Sequence, residues 1–379
     1  MALAAWLACG LAVAGTLYQL LTAAVVIYPR HPRVRGDDEE GGESDGVTIL
    51  KPLHGPEPRL LENLATFASQ AYPGAVEIIC GVQDPADPAI DAVTALRAAH
   101  PDADIALVVD SSAHGSNAKV SNLINMIKAA KHDLLVLSDS DMAAPPGYLA
   151  QVVETLLWPE VGAVTCFYTG RGDAGRWSRL AAMAIDYGYL PSGLFASRLG
   201  LAQPCMGSTI ALSRETLAQV GGLARVADVL ADDHALGVAV GTLGLQVAVA
   251  PVLLEHGCTE TSLAALARHE LRWNLTIFRL QPWGFTGLGL LNPLPVALVA
   301  LLLGGFAPSG FAALAGAFVS RLIVAACIAR LTGRRPASLW LLPVRDILSF
   351  GLFLATFFGQ SIDWRGTRLD VSRDGRLRS

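Results

Sequence analysis

The chain has 379 residues, of which 52% are hydrophobic and only 16% are charged, and its formal net charge is −5 at pH 7. Soluble globular domains have about 25% charged residues, so the composition indicates a protein that lies partly in a membrane. The acidic balance and the lack of a basic patch exclude nucleic acid as a partner. Six scattered cysteines form no CxxC pair, so neither a disulfide framework nor a zinc site is predicted.

The first predicted segment, residues 1–29, is a transmembrane helix, because residues 2–28 carry no charge and about 20 apolar residues span a bilayer. A cleaved signal peptide is the alternative, but it would begin with a basic region that this chain lacks. Four basic residues follow the helix: Arg30, His31, Arg33 and Arg35. They place this end of the helix in the cytoplasm. Residues 30–46 are predicted to be a charged, flexible linker, since the run 36–46 is acidic and rich in glycine.

Residues 47–260 alternate short apolar runs with helical patterns, which predicts βαβ units and a mainly parallel sheet. The predicted strands are 47–50, 76–82, 105–109 and 134–137, and the predicted helices are 60–70, 90–100 and 117–131. In such sheets ligands bind beyond the carboxyl ends of the strands. Three of the four strands end in polar residues, at Lys51, at Asp84 and at the pair Asp139 and Asp141. The pattern therefore indicates a binding site at this edge.

The two aspartates, Asp139 and Asp141, follow an apolar run and precede Pro145-Pro146, with no Lys or Arg beside them in the sequence. A single aspartate in this position is typical of a turn. Two carboxylates this close repel each other unless a cation lies between them. Mg²⁺ or Mn²⁺ suits such oxygen ligands and usually brings substrate phosphates with it. The sequence therefore predicts a divalent-metal site here.

The last part of the chain is apolar in broken pieces. Residues 261–286 mix leucine and aromatic residues with arginine, which predicts an amphipathic helix in the membrane interface. Residues 287–361 hold three apolar segments interrupted by proline or charge, and 362–379 form a basic tail. Basic residues near 330–335 and in the tail both favour the cytoplasmic side, so we expect one segment to be re-entrant or interfacial.

Two ionisable residues, Arg345 and Asp346, lie inside the last apolar segment. Charged groups at membrane depth usually face a protein interior or a polar cavity. They are also candidates for a break between two half-helices of a re-entrant segment. Both interpretations stay open at the level of the sequence.

Five motifs occur in the order found in GT-A glycosyltransferases that are processive or act on lipids. They are Gly81–Pro88, Asn117–Asn122, Asp139–Asp141, Ala231–Asp233 and His269–Trp273. The chain most resembles the ceramide glucosyltransferase-like group, including its bacterial branch that acts in hopanoid lipid synthesis. The resemblance runs from about Val47 to Gly366. It implies a GT-A domain, Rossmann-like with a mainly parallel sheet, between an N-terminal transmembrane helix and C-terminal membrane segments.

The resemblance implies a set of donor-binding residues. Asp84 contacts the uracil or ribose of a UDP-sugar, and Lys119 lies near the diphosphate. Asp139 and Asp141 face the nucleotide sugar and its Mg²⁺ or Mn²⁺, with Asp141 the more direct metal ligand. Gly207, in the turn 205–209, permits close approach of the backbone to the donor sugar. For Lys119 the alternative is an ordinary solvated side chain.

The resemblance also implies catalytic and closing residues. Asp233 is the general base, while Asp232 is expected to be only a helix N-cap. Arg272 and Trp273 close over the diphosphate and the acceptor, although both also suit an interfacial helix. His269 holds the place where the family has Gln or Arg, so a phosphate contact from this turn falls either to Arg268 or to His269 in its protonated form.

The predicted function is an inverting transfer from a UDP-sugar to a lipid hydroxyl in the bilayer, by a multi-pass protein of the bacterial inner membrane whose catalytic domain faces the cytoplasm. The stretch 187–192 lacks a histidine that animal ceramide enzymes have. This absence favours transfer of N-acetylglucosamine to bacteriohopanetetrol over transfer of glucose to ceramide or diacylglycerol. A processive polysaccharide synthase would need more membrane crossings, and an inactive scaffold would not need the intact acidic residues.

Overall fold

The computed structural model describes residues 2–27, 45–336 and 338–359, together with the backbone of three short strands within 362–378. Most of the predicted linker, including its four basic residues, lies outside the described residues, and so do the side chains of the predicted basic tail. The cytoplasmic placement that those residues predict therefore stays a prediction.

The chain folds into fourteen α-helices and eleven strands within the described residues. The helices are α1 (Ala2–Ile27), α2 (Leu60–Ala68), α3 (Ala89–Ala99), α4 (Ala118–Ile127), α5 (Tyr148–Leu156), α6 (Arg176–Ala184), α7 (Leu190–Arg198), α8 (Arg214–Gln219), α9 (Asp232–Thr242), α10 (Leu263–Leu280), α11 (Pro282–Gly287), α12 (Pro293–Leu303), α13 (Pro308–Thr332) and α14 (Leu342–Thr356). The strands are β1 (Val47–Pro52), β2 (Val76–Val82), β3 (Asp104–Val109), β4 (Leu134–Leu137), β5 (Met142–Ala143), β6 (Val161–Gly172), β7 (Ile210–Ser213), β8 (Gln246–Cys258), β9 (Ile362–Trp364), β10 (Thr367–Val371) and β11 (Leu377–Arg378).

These elements form two compact units. The helical unit consists of the described residues of Met1–Arg30, Ala174–Ala202 and Glu260–Ser379. The sheet unit consists of the described residues of His31–Asp173 and Gln203–Thr259. Residues 174–202, which lie inside the predicted catalytic range 47–260, thus belong to the helical unit.

The sheet unit is built on an eight-stranded sheet with the order β3-β2-β1-β4-β7-β6-β8-β5. The pairings β1–β2, β2–β3, β1–β4 and β6–β8 are parallel, and β4–β7, β6–β7 and β5–β8 are antiparallel. All four predicted strands are confirmed. The predicted fold class, an α/β domain with a mainly parallel sheet between apolar helices at the two ends of the chain, is confirmed as well.

The core of the sheet unit positions the first turn of α4 at the carboxyl edge of the sheet. Val120, Leu123 and Met126 recur at helical spacing, and all three are buried in one cluster with Leu50 of β1 and Ile79 of β2, the strands on which α4 packs. Burial of each such side chain contributes about 1.5–3 kcal/mol, so this face fixes the helix firmly. The helix ends at Ile127, several residues before the predicted end at 131.

The helical unit contains three helices long and apolar enough to cross a membrane: Ala2–Ile27, Pro308–Thr332 and Leu339–Thr356. A fourth crossing is added if the pair Pro282–Leu291 and Pro293–Leu303, bent by 70°, is counted as one span. Small residues line the contact of α1 with α12 and α13, where Ala12, Ala297 and Ala317 are buried. Small side chains let helices approach closely, which is the usual basis of helix packing in lipid.

Proline, and not the charged pair, breaks the apolar helices. The bend lies at Asn292-Pro293, whereas α14 runs unbroken through Arg345 and Asp346. Of the two interpretations left open for Arg345 and Asp346, the helix break is therefore wrong and the placement in a protein interior is confirmed, because both side chains are buried and ion-paired inside the helical unit. The single helix predicted over 261–286 is likewise interrupted, and α11 begins afresh at Pro282. Proline lacks the N–H that would continue a helix but suits a first position.

Candidate active site

Three distant segments bring charged groups together at the carboxyl edge of the sheet. Asp139 lies two residues after the end of β4, and its carboxylate Oδ1 lies 2.7 Å from Nζ of Lys119, in the first turn of α4. The same Nζ lies 3.6 Å from Oδ2 of Asp232, the first residue of α9. Lys119 is thus held between two carboxylates, and its side chain is 24% exposed. The alternative of a solvated lysine does not describe this residue.

The motif Asn117–Asn122 acts as a structural unit around Lys119. Asn117 caps α4, since its Oδ1 accepts from the N–H of Val120 (3.1 Å), and its Nδ2 donates to Oδ1 of Asp232 (3.3 Å). Asn122 donates from Nδ2 to the carbonyl of Gly81 at the end of β2 (2.8 Å). These bonds fix the first turn of α4 against both α9 and the sheet, so the position of the lysine is determined on two sides.

The two acidic residues of α9 have different partners. Ala231, and not Asp232, occupies the N-cap, so the expectation that Asp232 merely caps the helix is wrong. Asp233 is half-buried, and its Oδ2 accepts from the N–H of Gly207 (3.0 Å), while Oδ1 accepts from the N–H of His234 (2.7 Å). The carboxylate predicted to be the general base is therefore oriented by two backbone donors.

Gly207 lies so close to the charged cluster that a side chain there would press on the Lys119–Asp139 pair. A Cβ on this residue would lie 2.7 Å from Oδ2 of Asp139 and 3.0 Å from Nζ of Lys119. Its carbonyl also accepts from the N–H of Asp139 (3.2 Å), and its N–H donates to Asp233. One glycine thus connects the aspartate after β4 with the aspartate of α9.

Burial and neighbouring charges shift the pKa values in this cluster. Burial would lower the pKa of Lys119, but the carboxylates of Asp139, Asp232 and Asp233 raise it above its ordinary value, so the lysine stays charged. The pKa of Asp139 is raised, mainly by burial and also by Asp141 and Asp232, against the attraction of Lys119. Burial likewise raises the pKa of Asp232, and Asp233 adds to this rise. The cluster holds more negative than positive charge and would gain from a further cation.

Two basic residues that the sequence did not single out as site residues lie at the aspartate pair. The Lys51 side chain is fully buried, and its Nζ donates to Oγ of Ser138 (3.0 Å) and to the carbonyl of Asp139 (2.8 Å). Nε2 of His256 lies 3.2 Å from Oδ2 of Asp141. The two aspartates therefore have no basic neighbour in the sequence but do have basic neighbours in the fold. Pairing of β5 with β8 brings His256 beside Asp141, and no local sequence pattern predicts this pairing.

The donor set fits a divalent cation that takes part of its ligands from a substrate. No group of three or more His, Cys, Asp or Glu side chains in the described part of the chain is arranged to hold a metal alone. Asp139 and Asp141 supply hard oxygen ligands, and Mg²⁺ is commonly held by one or two carboxylates together with phosphates. The assignment of Asp139 and Asp141 as the residues that would hold the ion stays a prediction.

The remaining predicted residues lie elsewhere in the two units. Asp84 is exposed after β2, at the same sheet edge, and its Oδ1 accepts from the N–H of Ala86 (2.8 Å). His269, Arg272 and Trp273 all lie on α10 of the helical unit. There the His269 ring makes an edge contact with Trp273, with centroids 4.9 Å apart, and its Nδ1 is paired with Glu260. The roles assigned to these four residues stay predictions.

The sheet unit carries paired aspartates, a lysine and a helix-borne carboxylate at the carboxyl edge of its sheet, which is the edge where open α/β sheets bind their ligands. The chain belongs to glycosyl transferase family 21, which matches residues 5–377. The protein is therefore a glycosyltransferase. The GT-A class predicted for the sheet unit agrees with membership of this family.

Curated relatives with similar sequences are named as ceramide glucosyltransferases. Ceramide glucosyltransferase 1 of Caenorhabditis elegans is 24% identical over 224 residues, which are 59% of this chain and 47% of that protein. The ceramide glucosyltransferase of Candida albicans is 34% identical over 131 residues, which are 32% of this chain and 24% of that protein. The matches thus span about half of the curated relatives' lengths or less.

Solved structures with a similar course of the chain include a mannosyltransferase of Pyrobaculum calidifontis in complex with GDP-Man and Mn²⁺. It is 20% identical, with a TM-score of 0.48, over 93% of this chain and 99% of that one. Glucosyl-3-phosphoglycerate synthase of Mycobacterium tuberculosis, in complex with Mn²⁺, UDP-glucose and phosphoglyceric acid, is 17% identical, with a TM-score of 0.38, over 62% of this chain and 79% of that one.

Proposed function

We propose that this protein transfers a hexose from a UDP-sugar to a hydroxyl group of a membrane lipid, with inversion at the sugar carbon. The observation that carries the proposal is the convergence of Asp139, Lys119, Asp232 and Asp233 around Gly207 in a family 21 chain. These groups supply the three requirements of such a transfer: a site for a diphosphate, stabilisation of a leaving group and a base.

Asp233 is proposed as the general base. Its carboxylate accepts two backbone N–H bonds, which hold it in one orientation without adding a competing side-chain cation. It takes the proton of the acceptor hydroxyl while that oxygen attacks the anomeric carbon and UDP leaves from the opposite face. A base held in place in this way avoids the entropic cost of orienting it for each turnover.

Lys119 is proposed to stabilise the leaving diphosphate. The carboxylates around it raise its pKa, so it stays protonated when a phosphate replaces part of its contact with Asp139. Asp139 and Asp141 would hold a divalent cation, and that ion would supply further positive charge to neutralise the leaving UDP. Lys51, below the carbonyl of Asp139, keeps the segment after β4 in place.

The acceptor is proposed to be ceramide and the donor UDP-glucose, because the curated relatives are ceramide glucosyltransferases. Transfer of N-acetylglucosamine to bacteriohopanetetrol, favoured at the level of the sequence, stays the second candidate. It depends on the histidine missing from 187–192, and no contact of the described residues adds to it. The catalytic sheet unit is proposed to face the cytoplasm, where UDP-sugars are made available.

The test is a transfer assay with purified full-length protein in lipid nanodiscs with Mn²⁺ or Mg²⁺. Ceramide, diacylglycerol and bacteriohopanetetrol are each offered with UDP-glucose and with UDP-N-acetylglucosamine, and products are read by mass spectrometry. We expect glucosylceramide from the wild type. Asp233→Asn, which keeps the size of the side chain, is expected to bind UDP normally and to lose about a thousandfold or more in turnover.

Each result separates the candidates. A glycosylated hopanoid would replace ceramide as the acceptor. Equal turnover by Asp233→Asn would remove Asp233 as the base. Absence of any glycolipid or released UDP from a folded, UDP-binding protein would refute transfer to these lipids.

A further inference from the structure

Two arginines are buried among the apolar helices of the helical unit, and their surroundings differ. Nε and Nη2 of Arg321 each donate to Asp346 at 2.8 Å, and Nη1 donates to the carbonyl of Tyr187 (2.7 Å) and to Oε1 of Gln19 (3.4 Å). Every nitrogen of this guanidinium thus has a partner. The pair joins α13 with α14 and also reaches α1, as expected of a structural ion pair.

The second arginine, Arg345 of α14, is 2% exposed and is only partly satisfied. Its Nε and Nη2 donate to Oγ of Ser349 (3.1 and 2.9 Å), and Nη2 also donates to Oε2 of Glu270 on α10. Among the residues that the structure describes, neither Nη1 of Arg345 nor Oε1 of Glu270 has a hydrogen-bond partner, although both atoms are buried. The two atoms belong to the two partners of one ion pair.

Such an arrangement is costly unless a further group completes it. A buried polar group without a partner costs about 1–3 kcal/mol, and a charged one costs more. Here a donor, Nη1 of Arg345, and an acceptor, Oε1 of Glu270, lack hydrogen-bond partners within the described residues of the same ion pair. The group that satisfies both must accept one hydrogen bond and donate another, as a hydroxyl or a secondary amide does. A phosphodiester carries no proton at neutral pH and can only accept, so it would leave the glutamate unsatisfied.

The position of the pair indicates where this group comes from. Arg345 lies in the first turn of α14, a candidate membrane-spanning helix, and Glu270 lies in α10, the helix that also carries Arg272 and Trp273. A lipid places its polar head near the end of such a helix and its chains along the apolar surface. A ceramide head carries both a secondary amide and hydroxyl groups.

We propose that the Glu270–Arg345 pair is a binding site for the amide and hydroxyl head of the acceptor lipid, with Arg345 donating to an oxygen of the lipid and Glu270 accepting from its O–H or N–H. The inference rests on the proposed function, because it takes the acceptor to be a lipid with such a head. Ser349 holds the guanidinium in orientation from within α14.

The test compares two neutralised ion pairs in the full-length protein in nanodiscs. The site variant is Glu270→Gln/Arg345→Gln, and the matched control is Arg321→Gln/Asp346→Asn, which neutralises the fully satisfied pair. The probe is a ceramide with a photoactivatable acyl chain, and a photoactivatable phosphatidylcholine, which has neither an O–H nor an N–H group, serves as the comparison. Labelling, UDP binding and thermal stability are measured for each protein, and the single variant Glu270→Gln is measured as well, in case the double variant does not fold.

We expect ceramide labelling of the wild type to exceed phosphatidylcholine labelling and to fall about tenfold in the site variant, a change of about 1.4 kcal/mol in binding, with UDP binding unchanged. The control is expected to lose thermal stability and to keep its ceramide labelling. The inference is overturned if the site variant labels as the wild type does, if the control loses labelling equally, or if both probes label the wild type alike, as they would were the pair only bridged by water.

Labelling requires no transfer, so the two proposals fail separately. If the protein makes no glycolipid but its ceramide labelling depends on Glu270 and Arg345, the binding site stands and the proposed function falls. If glucosylceramide is formed and the site variant keeps the wild-type KM for ceramide, the proposed function stands and the site falls.

Discussion

Replacement of Gly207 by alanine tests whether the charged cluster of the sheet unit is the donor site. The new Cβ would lie 2.7 Å from Oδ2 of Asp139 and 3.0 Å from Nζ of Lys119. To restore an ordinary contact of 3.4 Å the carboxylate must retreat by about 0.7 Å, which displaces both members of the ion pair. Displacements of about 1 Å in an active site cost about 100-fold in rate, so we expect turnover to fall about 10- to 100-fold.

The stability of the fold should change little in this variant, because Lys119 and Asp139 are partly exposed and have room to move. Gly147→Ala is the matched control, since its Cβ would meet only Nε2 of Gln151, at 3.5 Å. UDP-sugar binding by calorimetry and turnover by UDP release would be measured for both variants. Wild-type binding and turnover in Gly207→Ala, at unchanged thermal stability, would refute the assignment of this cluster to the donor.

Three further predictions concern the same unit. Burial lowers the pKa of Lys51 from 10.5 to about 7, against the attraction of Asp139 and Asp141, so between these pH values the unfolded chain binds the extra proton. The free energy of unfolding of the metal-free wild type, measured relative to that of Lys51→Met, should therefore rise by about 1.4 kcal/mol per pH unit across this window. Denaturation series in which the two proteins show the same dependence on pH would contradict this prediction. Asp87→Ala removes the acceptor for the N–H groups of Gly55 and Ala89 and should lower the free energy of unfolding by about 2–4 kcal/mol, measured in the same way; no change would show that water replaces the carboxylate. Chelation of divalent ions should reduce the rate of UDP release about 100-fold. Adding Mn²⁺ or Mg²⁺ should restore the rate in the wild type but not in Asp141→Asn, and restoration in that variant would exclude Asp141 as a necessary ligand.

Local patterns predicted the parts of the fold that depend on neighbouring residues. The alternation of apolar runs and helical spacing located β1, β2, β3 and β4 to within two residues. The three helices predicted in the sheet unit differ from the observed helices only at their ends, since capping decides where a helix stops. For example, α4 ends at Ile127 and not at residue 131. In residues 287–361 the interruption lies at Pro293, where the sequence has a proline. The sequence left two interpretations open for Arg345 and Asp346, and their buried ion-pair partners exclude the helix break.

The partners of the candidate site were less predictable, since they come from segments far apart in the chain. The motif order pointed to Lys119, Asp139 and Asp233, and the structure places these residues around Gly207. It also shows that Asp232 faces Lys119, where the pattern favoured a simple cap. A carboxylate at a helix start has the same sequence signature whether it caps the helix or faces a lysine, so only the fold separates the two.

The sequence by itself determined the α/β class, the edge of the sheet that carries the acidic pair, and the apolar ends of the chain, because strand period, helix period and hydropathy are properties of contiguous residues. The tertiary structure alone decided which charges meet. His256 reaches Asp141 through strand pairing, Lys51 is buried beneath Asp139, and Arg345 finds Glu270 on another helix. An ion pair depends on distance in space, which the sheet order and the helix packing set and which no local pattern records.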